Sequence, residues 1–454
     1  MGKLILDEIV KATGGSLLSR ARYEFAGLST DSRTIREGEL FVALKGPTFD
    51  GHEFLGDALA KGAGGVVHRL PSADLGGKTL IRVDDTLKAL QDIARYLRGK
   101  RTVPVIAVTG TNGKTTTKEL IASIFGQGMK VLKTRGNLNN HIGLPLCLAG
   151  MDGDEEVMVL EMGSNAEGDI RVLCDIARPD FAVVTNVGIA HLEGFGSIET
   201  VRKTDLEILD FAKTVCVNAD DRFLLEGTRG FKGKVITYGM QNDTDVRAVD
   251  ITREERGSSF TLRLPGKKEI GIHLPLPGRF NILNALAAAA IADECGIATD
   301  SIRRGLESFR GVPMRLEIKE INRVLIISDV YNANPASVEE AIRELVRLGR
   351  ERTVAVLGDM LELGSYSEEA HRAIVRRLSQ AGVDIFIAVG PEMTSAAAEF
   401  TRDCYIAEDS FSAGAVLSEI WREGDTVLIK GSRGMKMERV LDAVPAAMEG
   451  KDAL

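Results

Sequence analysis

The chain has 454 residues, enough for about two to four domains with ample core. Apolar residues make up 44% and charged residues 27%, the balance of a globular protein, and the net charge of −8 speaks against nonspecific binding to nucleic acid or anionic membranes. No apolar run approaches the roughly 18 residues of a membrane span. The N-terminal stretch interleaves charged and apolar residues, as in a short amphipathic helix and unlike a signal peptide, and five scattered cysteines suit reduced thiols in the cytoplasm, with no zinc cluster.

Three α/β blocks follow one another. The first, residues 1–99, has strand patterns at 40–44 and 65–68 around a helix at 53–61. The second, 100–311, opens with an apolar run at 103–108, the stretch 108–117 (VTGTNGKTTT) and a helical pattern over 118–125. Strand, glycine turn and helix in that order form a polyphosphate cradle. Gly110 and Gly113 let backbone N–H groups approach phosphate oxygens, Lys114 sets a cation on them, and Thr115 can give its hydroxyl to magnesium. Val108 stands where the usual pattern has its first glycine, so the loop is a shortened variant; a plain glycine turn is the alternative.

Strands expected at 157–161, 181–186 and 214–218 alternate with helices, which implies a mainly parallel sheet. The alternation over 246–264 suits an antiparallel insertion or sheet edge, and 278–295 reads as an alanine-rich helix. The third block, 312–454, alternates strands at 324–329, 353–357, 385–389 and 426–429 with helices, among them 337–348 with Ser337 as its N-cap.

Reactive groups of open parallel sheets gather at the carboxyl ends of strands. Glu161 ends one strand and can hold a metal, or be a solvated acid. His191 follows another on a glycine-rich loop and can coordinate a second magnesium, orient a substrate or serve structure alone. The segment 136–143 (GNLNNHIG) is dense in amides; it suits a polar ligand or a helix start capped by Asn139 or Asn140. Asp329 can accept from a ribose or close an Asx turn. Arg315, beside the second joint, can reach phosphates from a separate domain or stay solvated.

Together these pieces resemble the Mur ligase family, the ATP-dependent amide ligases of peptidoglycan precursor synthesis, over nearly the whole chain. The resemblance implies a uridine-nucleotide domain, a central phosphate-loop ATPase domain and a Rossmann-like third domain. It makes the loop from Gly110, Thr111, Asn112, Gly113 and Lys114 to Thr115 and Thr116 the ATP site, with Asn281 at adenine, Arg315 at phosphate and Asp329 at ribose. Magnesium would lie on Thr115, Glu161 and His191, and Lys114, His191 and Arg315 would carry the chemistry. The segments 30–33, 38–44 and 50–54 look like the uridine-nucleotide domain, with Ser32, Arg33 and Lys45 as contacts. The segments 137–140, 191–197, 331–335, 357–364 and 430–433 resemble the branch that adds D-alanyl-D-alanine to a UDP-N-acetylmuramoyl tripeptide. Asn137, Asn139, Asn140, Tyr331, Asn332 and Asn334 would then meet substrate.

The branch that adds the third amino acid usually carries an Asp-Asn-Pro-Arg motif in its third domain, which this chain lacks. The folate-modifying relatives begin with the ATPase domain, unlike this chain. A nucleotide-driven binding protein without ligase chemistry is the alternative from another class. One departure stands out. The family usually has a carbamylated lysine fourteen residues after the metal histidine; here that position is Asp205, with Lys203 two residues earlier. Both cannot face one site from a helix, and Asp205 is expected to supply the negative charge, through water. The expected protein is a cytoplasmic monomer.

Overall fold

The computed structural model describes residues 3–69, 77–241 and 243–443. Residues 444–454 of the third block lie outside the described residues. Among the described residues three large sheets, beside a two-stranded pairing of Leu4–Ile5 with Glu24–Phe25, carry a three-domain α/β arrangement.

The first sheet has five strands in the order Ser16–Ser19, Thr79–Arg82, Gly64–Val67, Glu39–Val42, Gly27–Ser29. Only its Ser16–Ser19 edge is antiparallel. The helices Leu6–Thr13 and Thr86–Gly99 cover one face, and Leu55–Lys61 the other. Asp85 caps Thr86–Gly99 by accepting from the Lys88 N–H. That helix also packs on Gly143–Ala149 and Asp169–Ala177 of the central unit, which ties the two units together.

The central sheet has nine strands. Val105–Thr109, ahead of the glycine turn, lies between Val157–Glu161 and Phe181–Val184, parallel to both. Its side chains alternate, as the two-residue period of a strand requires: Ile106 and Val108 enter one core, Val105 and Ala107 the other. The alanine-rich helix, Arg279–Glu294, buries Ala285 and Ala287 through Ala290 beside the phosphate-loop helix Lys114–Phe125. Small side chains allow that close approach. The alternating stretch becomes an edge: Val246–Arg253 joins the sheet parallel to Lys234–Gly239, then Ser258–Leu264 and Lys268–Leu274 add antiparallel strands.

The third sheet has six strands, parallel except for the Glu317–Ile321 edge. Its first helix starts earlier than the sequence suggests. It runs Pro335–Leu348 with Asn334, not Ser337, as the cap. Asn334 accepts from the Ser337 N–H at 3.0 Å, and Ser337 Oγ accepts from the Asn334 N–H at 3.1 Å. Pro335 at the first helical position has no N–H to leave unpaired, so the turn before Ser337 is already helical. Likewise the phosphate-loop helix begins at Lys114, not 118.

Candidate nucleotide and metal site

The turn after Val105–Thr109 needs its glycines. Gly110 has φ +120° and Gly113 φ +84°. A Cβ on Gly110 would stand 2.3 Å from Thr185 Oγ1, and one on Gly113 2.4 Å from Asn284 Oδ1. The neighbouring strand end shapes the turn. Asn186 accepts from the N–H groups of Thr111 (2.8 Å) and Asn112 (3.0 Å) and returns its own amide to the Asn112 carbonyl (2.9 Å). Lys114 folds its ammonium back onto the Gly110 and Thr111 carbonyls. Burial lowers its pKa, opposed by the carboxylates of Asp205 and Glu161. A glycine turn that sets a lysine at the first position of the helix Lys114–Phe125 is an arrangement suited to polyphosphate.

Glu161 is 3% exposed. Its Oε1 accepts from Asn139 Nδ2 at 2.8 Å, while Oε2 has no hydrogen-bond partner and lies 3.8 Å from Lys118 Nζ. A buried carboxylate oxygen left bare is costly, and it fits a site meant for a cation. Thr115, Glu161 and His191 line the same cavity, and their hydroxyl, carboxylate and imidazole suit magnesium or manganese.

Asp205 sits behind the loop, 2% exposed. It accepts from Thr109 Oγ1 at 2.9 Å and from the Gly110 backbone, and burial pushes its pKa up to about 6 against the pull of Lys114. Lys203 points outward and pairs with Glu167 at 2.5 Å.

The third domain closes the cavity. Arg315 Nη2 donates to Thr115 Oγ1 at 3.2 Å, its guanidinium 4.1 Å above the Tyr331 ring. Asp329 accepts from the Leu316 N–H (3.2 Å) and from the buried Lys430 ammonium (2.5 Å), which also reaches the Asn332 carbonyl. Burial lowers the Lys430 pKa. Asn334 Nδ2 donates to Asn112 Oδ1 at 2.8 Å across the domain boundary. The enclosed space is about 850 Å³.

Of the residues expected at the site, all line this cavity except Gly110 and Asp205, which lie behind its wall, and Ser32, Arg33 and Lys45, which belong to the first domain. Arg33 is exposed and paired with Asp31, and Lys45 is exposed. In the amide-rich loop Asn139 holds Glu161, while Asn140 accepts from the Ile142 (3.1 Å) and Gly143 (2.8 Å) N–H groups; the N-cap of Gly143–Ala149 is Ile142, not the expected Asn139 or Asn140. Asn281 is tied to the Pro277 carbonyl and to Asn284. The structure adds Lys118, Asn186, Asn284, Glu362 and Lys430, each lying in or beside a segment read from sequence.

Comparison with known proteins follows this division. Residues 24–98 match the Mur ligase family catalytic domain, 108–292 the Mur ligase middle domain, and 314–433 the Mur ligase glutamate ligase domain. A Bacillus subtilis relative named UDP-N-acetylmuramoyl-tripeptide–D-alanyl-D-alanine ligase is 37% identical, over 96% of each chain. The chain belongs to the Mur ligase family. An Escherichia coli protein of the same name is 36% identical to this Mur ligase, over 98% of it and 99% of the relative. Among solved structures, MurF from Acinetobacter baumannii matches with a TM-score of 0.91 at 31% identity, covering 97% of this Mur ligase and 98% of that chain. MurF ligase from Thermotoga maritima in complex with ADP matches at 0.82 and 32% identity, covering 92% and 96%. The expected three-domain fold is therefore that of this Mur ligase. Among its described residues no helix is long and apolar enough to cross a membrane.

Proposed function

We propose that this Mur ligase joins D-alanyl-D-alanine to UDP-N-acetylmuramoyl-tripeptide, with conversion of ATP to ADP and phosphate, as a step of peptidoglycan precursor synthesis. The names and full-length coverage of its relatives support this reading. The observation that carries it is the reach of Arg315 across the domain boundary to Thr115, beside Lys114, over a cavity that also holds Glu161, whose buried Oε2 has no hydrogen-bond partner.

Amide formation stalls in water because a carboxylate is a poor electrophile. Here the tripeptide carboxylate attacks the γ-phosphorus of ATP, the bond to ADP breaks, and an acyl phosphate forms. The dipeptide amine attacks the acyl carbon, loses a proton, and phosphate leaves from the tetrahedral intermediate. Lys114 and Arg315 neutralise the migrating phosphoryl group. Gly110, Thr111, Asn112, Gly113, Thr115 and Thr116 cradle the phosphates, with Asn281 near adenine and Asp329 at ribose. Thr115, Glu161 and His191 would hold magnesium, which supplies charge neutralisation at the phosphates. Asp205 would add negative charge from behind the loop, acting on that cation through water.

Residues 1–99 hold the uridine end through Ser32, Arg33 and Lys45, residues 100–311 hold ATP, and residues 312–454 bring the dipeptide. Asn137, Asn139, Asn140, Tyr331, Asn332 and Asn334 line its path. One chain supplies every group named, so a monomer suffices, and the substrates place its work in the cytoplasm.

The test is phosphate release with UDP-muramoyl tripeptide, ATP and magnesium. D-alanyl-D-alanine should trigger release and pentapeptide product, and D-alanine or meso-diaminopimelate should not. Lys114→Ala should stay folded and lose at least about a hundredfold in kcat. Dipeptide-independent hydrolysis without product would sink the ligase reading, as would activity unaffected by chelating magnesium for the metal reading.

A further inference from the structure

His191 and Glu362 face each other across the boundary between the central and third domains. His191 opens the short helix Leu192–Phe195 with φ +52°, and Glu362, in the loop after the strand Arg352–Gly358, has φ +64°. Left-handed backbone in two non-glycine residues that touch is a strained arrangement of the kind that collects at functional sites. The contact has two points. His191 Nδ1 and Glu362 Oε2 are 2.5 Å apart, and the Glu193 N–H donates to the Glu362 carbonyl at 3.2 Å.

The loop that presents Glu362 is fixed on both sides. The Leu361 N–H donates to Ser432 Oγ at 2.8 Å, the Met360 N–H to His371 Nε2 at 2.9 Å, and Leu363 is buried in the third domain's core. The anchored loop presents the Glu362 carboxylate, itself half exposed, to the imidazole, and that bond can set the plane of the ring. It also sets the tautomer: Nδ1–H donates to Glu362, and Nε2 keeps its lone pair for a cation. The second ring nitrogen of a metal-binding histidine is ordinarily served in this way from its own surroundings. Here the carboxylate comes from another domain.

We propose that Glu362 is a positioning residue for His191, through which docking of the third domain prepares the imidazole for its cation. The inference rests on the reading of His191 as a metal ligand. By thermodynamic reciprocity, a cation that prefers the oriented imidazole also favours the docked third domain.

The experiment uses the full chain with ADP and titrates Mn²⁺, followed by its electron paramagnetic resonance signal, with melting temperature as the fold control. The variants are His191→Ala, Glu362→Ala, Glu362→Gln and the double variant His191→Ala/Glu362→Ala. Glu362→Ala is expected to weaken Mn²⁺ binding about 10- to 100-fold. Glu362→Gln, whose amide oxygen still accepts from Nδ1–H, should lose less. On the His191→Ala background, Glu362→Ala should add nothing. If His191→Ala leaves Mn²⁺ affinity unchanged, the metal reading of His191 falls and the inference with it. If His191→Ala weakens binding and Glu362→Ala does not, only the inference falls. Equal losses from Glu362→Ala with and without His191 would also overturn it, since Glu362 would then act elsewhere.

Discussion

Lys203 and Asp205 stand two residues apart on the short helix Ile198–Asp205 and face opposite surroundings. The Lys203 side chain is 67% exposed and paired with Glu167, while Asp205 is bound to Thr109 behind the phosphate loop. Positions two apart on a helix diverge by about 200°. A carbamate on Lys203 would therefore form in solvent, away from the cavity. Lys203→Ala is expected to keep kcat within about twofold of the parent. Its rate, like the parent's, should not respond to removing or adding bicarbonate. Asp205→Asn should lower kcat by about tenfold or more, because the buried carboxylate that interacts with Lys114 is lost. A carbon-13 carbamate signal from labelled CO₂ at Lys203, with bicarbonate-dependent turnover, would contradict this.

Gly113 is expected to tolerate no side chain. Its φ of +84° costs an L-residue about 1–2 kcal/mol, and the new Cβ would meet Asn284 Oδ1 at 2.4 Å. Asn284 cannot easily withdraw, since Thr117 Oγ1 donates to its oxygen at 3.2 Å and its own amide donates to Asn281 at 3.1 Å. Gly113→Ala should weaken ADP binding by at least about tenfold, measured by calorimetry. Adding Asn284→Ala should return part of that loss by clearing the space. Unchanged ADP affinity in Gly113→Ala would mean that the loop does not hold the phosphates.

How far the sequence could be read follows from the range of each interaction. Strands buried on both faces, such as Val157–Glu161 and Ile385–Val389, are continuous apolar runs and are legible to the residue. The short strand Val131–Lys133 and the edge strand Asp403–Ala407 are not, because edges and mixed burial leave no such run. At the site, glycines, lysine and strand-end acids announce themselves by spacing. Asn186, Asn284 and Glu362 do not: each acts through a partner distant in the chain, and an amide or acid in a loop has many possible uses. The cap falls at Asn334 and not at Ser337 for a local reason, since the two residues cap each other and only the backbone at Asn334 tells which is first.

His52 carries a pH dependence into the first domain. Its side chain is 4% exposed, with Nδ1 2.7 Å from Asp50 Oδ1, and Nε2 accepts from the His68 N–H at 3.1 Å. Nε2 must therefore be unprotonated. Burial outweighs the Asp50 carboxylate and holds the ring's pKa below the ordinary 6.5. In the unfolded chain the ring takes up a proton as pH falls through 6.5, before the folded ring does. The unfolded state then binds more protons, so stability is lost as pH falls below that value. The urea midpoint of the parent should drop from about pH 7 to about pH 5 more steeply than that of His52→Gln, whatever the variant's absolute stability. Parallel profiles would show that the ring titrates alike in both states.

The amide pair of Asn112 and Asn334 should govern how long the third domain stays docked. Asn334 has two tasks: its Oδ1 caps Pro335–Leu348 by accepting from the Ser337 N–H, and its amide pairs with Asn112 across the boundary, chiefly through Nδ2 (2.8 Å) and more weakly through Oδ1, which accepts from Asn112 Nδ2 at 3.4 Å. Serine is an equally good cap but has no amide to offer. Asn334→Ser should thus keep the melting temperature, whereas Asn334→Ala should lose about 1 kcal/mol of stability with the cap. Both should populate opened conformations, seen as a larger radius of gyration in small-angle scattering. Asn112→Ala should open the protein to the same degree, and combining it with Asn334→Ser should open it no further, since either change removes the same bond. Additive opening would mean that the two residues hold the domains independently, and an unchanged radius in all three would assign docking to other contacts, among them Arg315 with Thr115, His191 with Glu362 and Arg253 with Glu344.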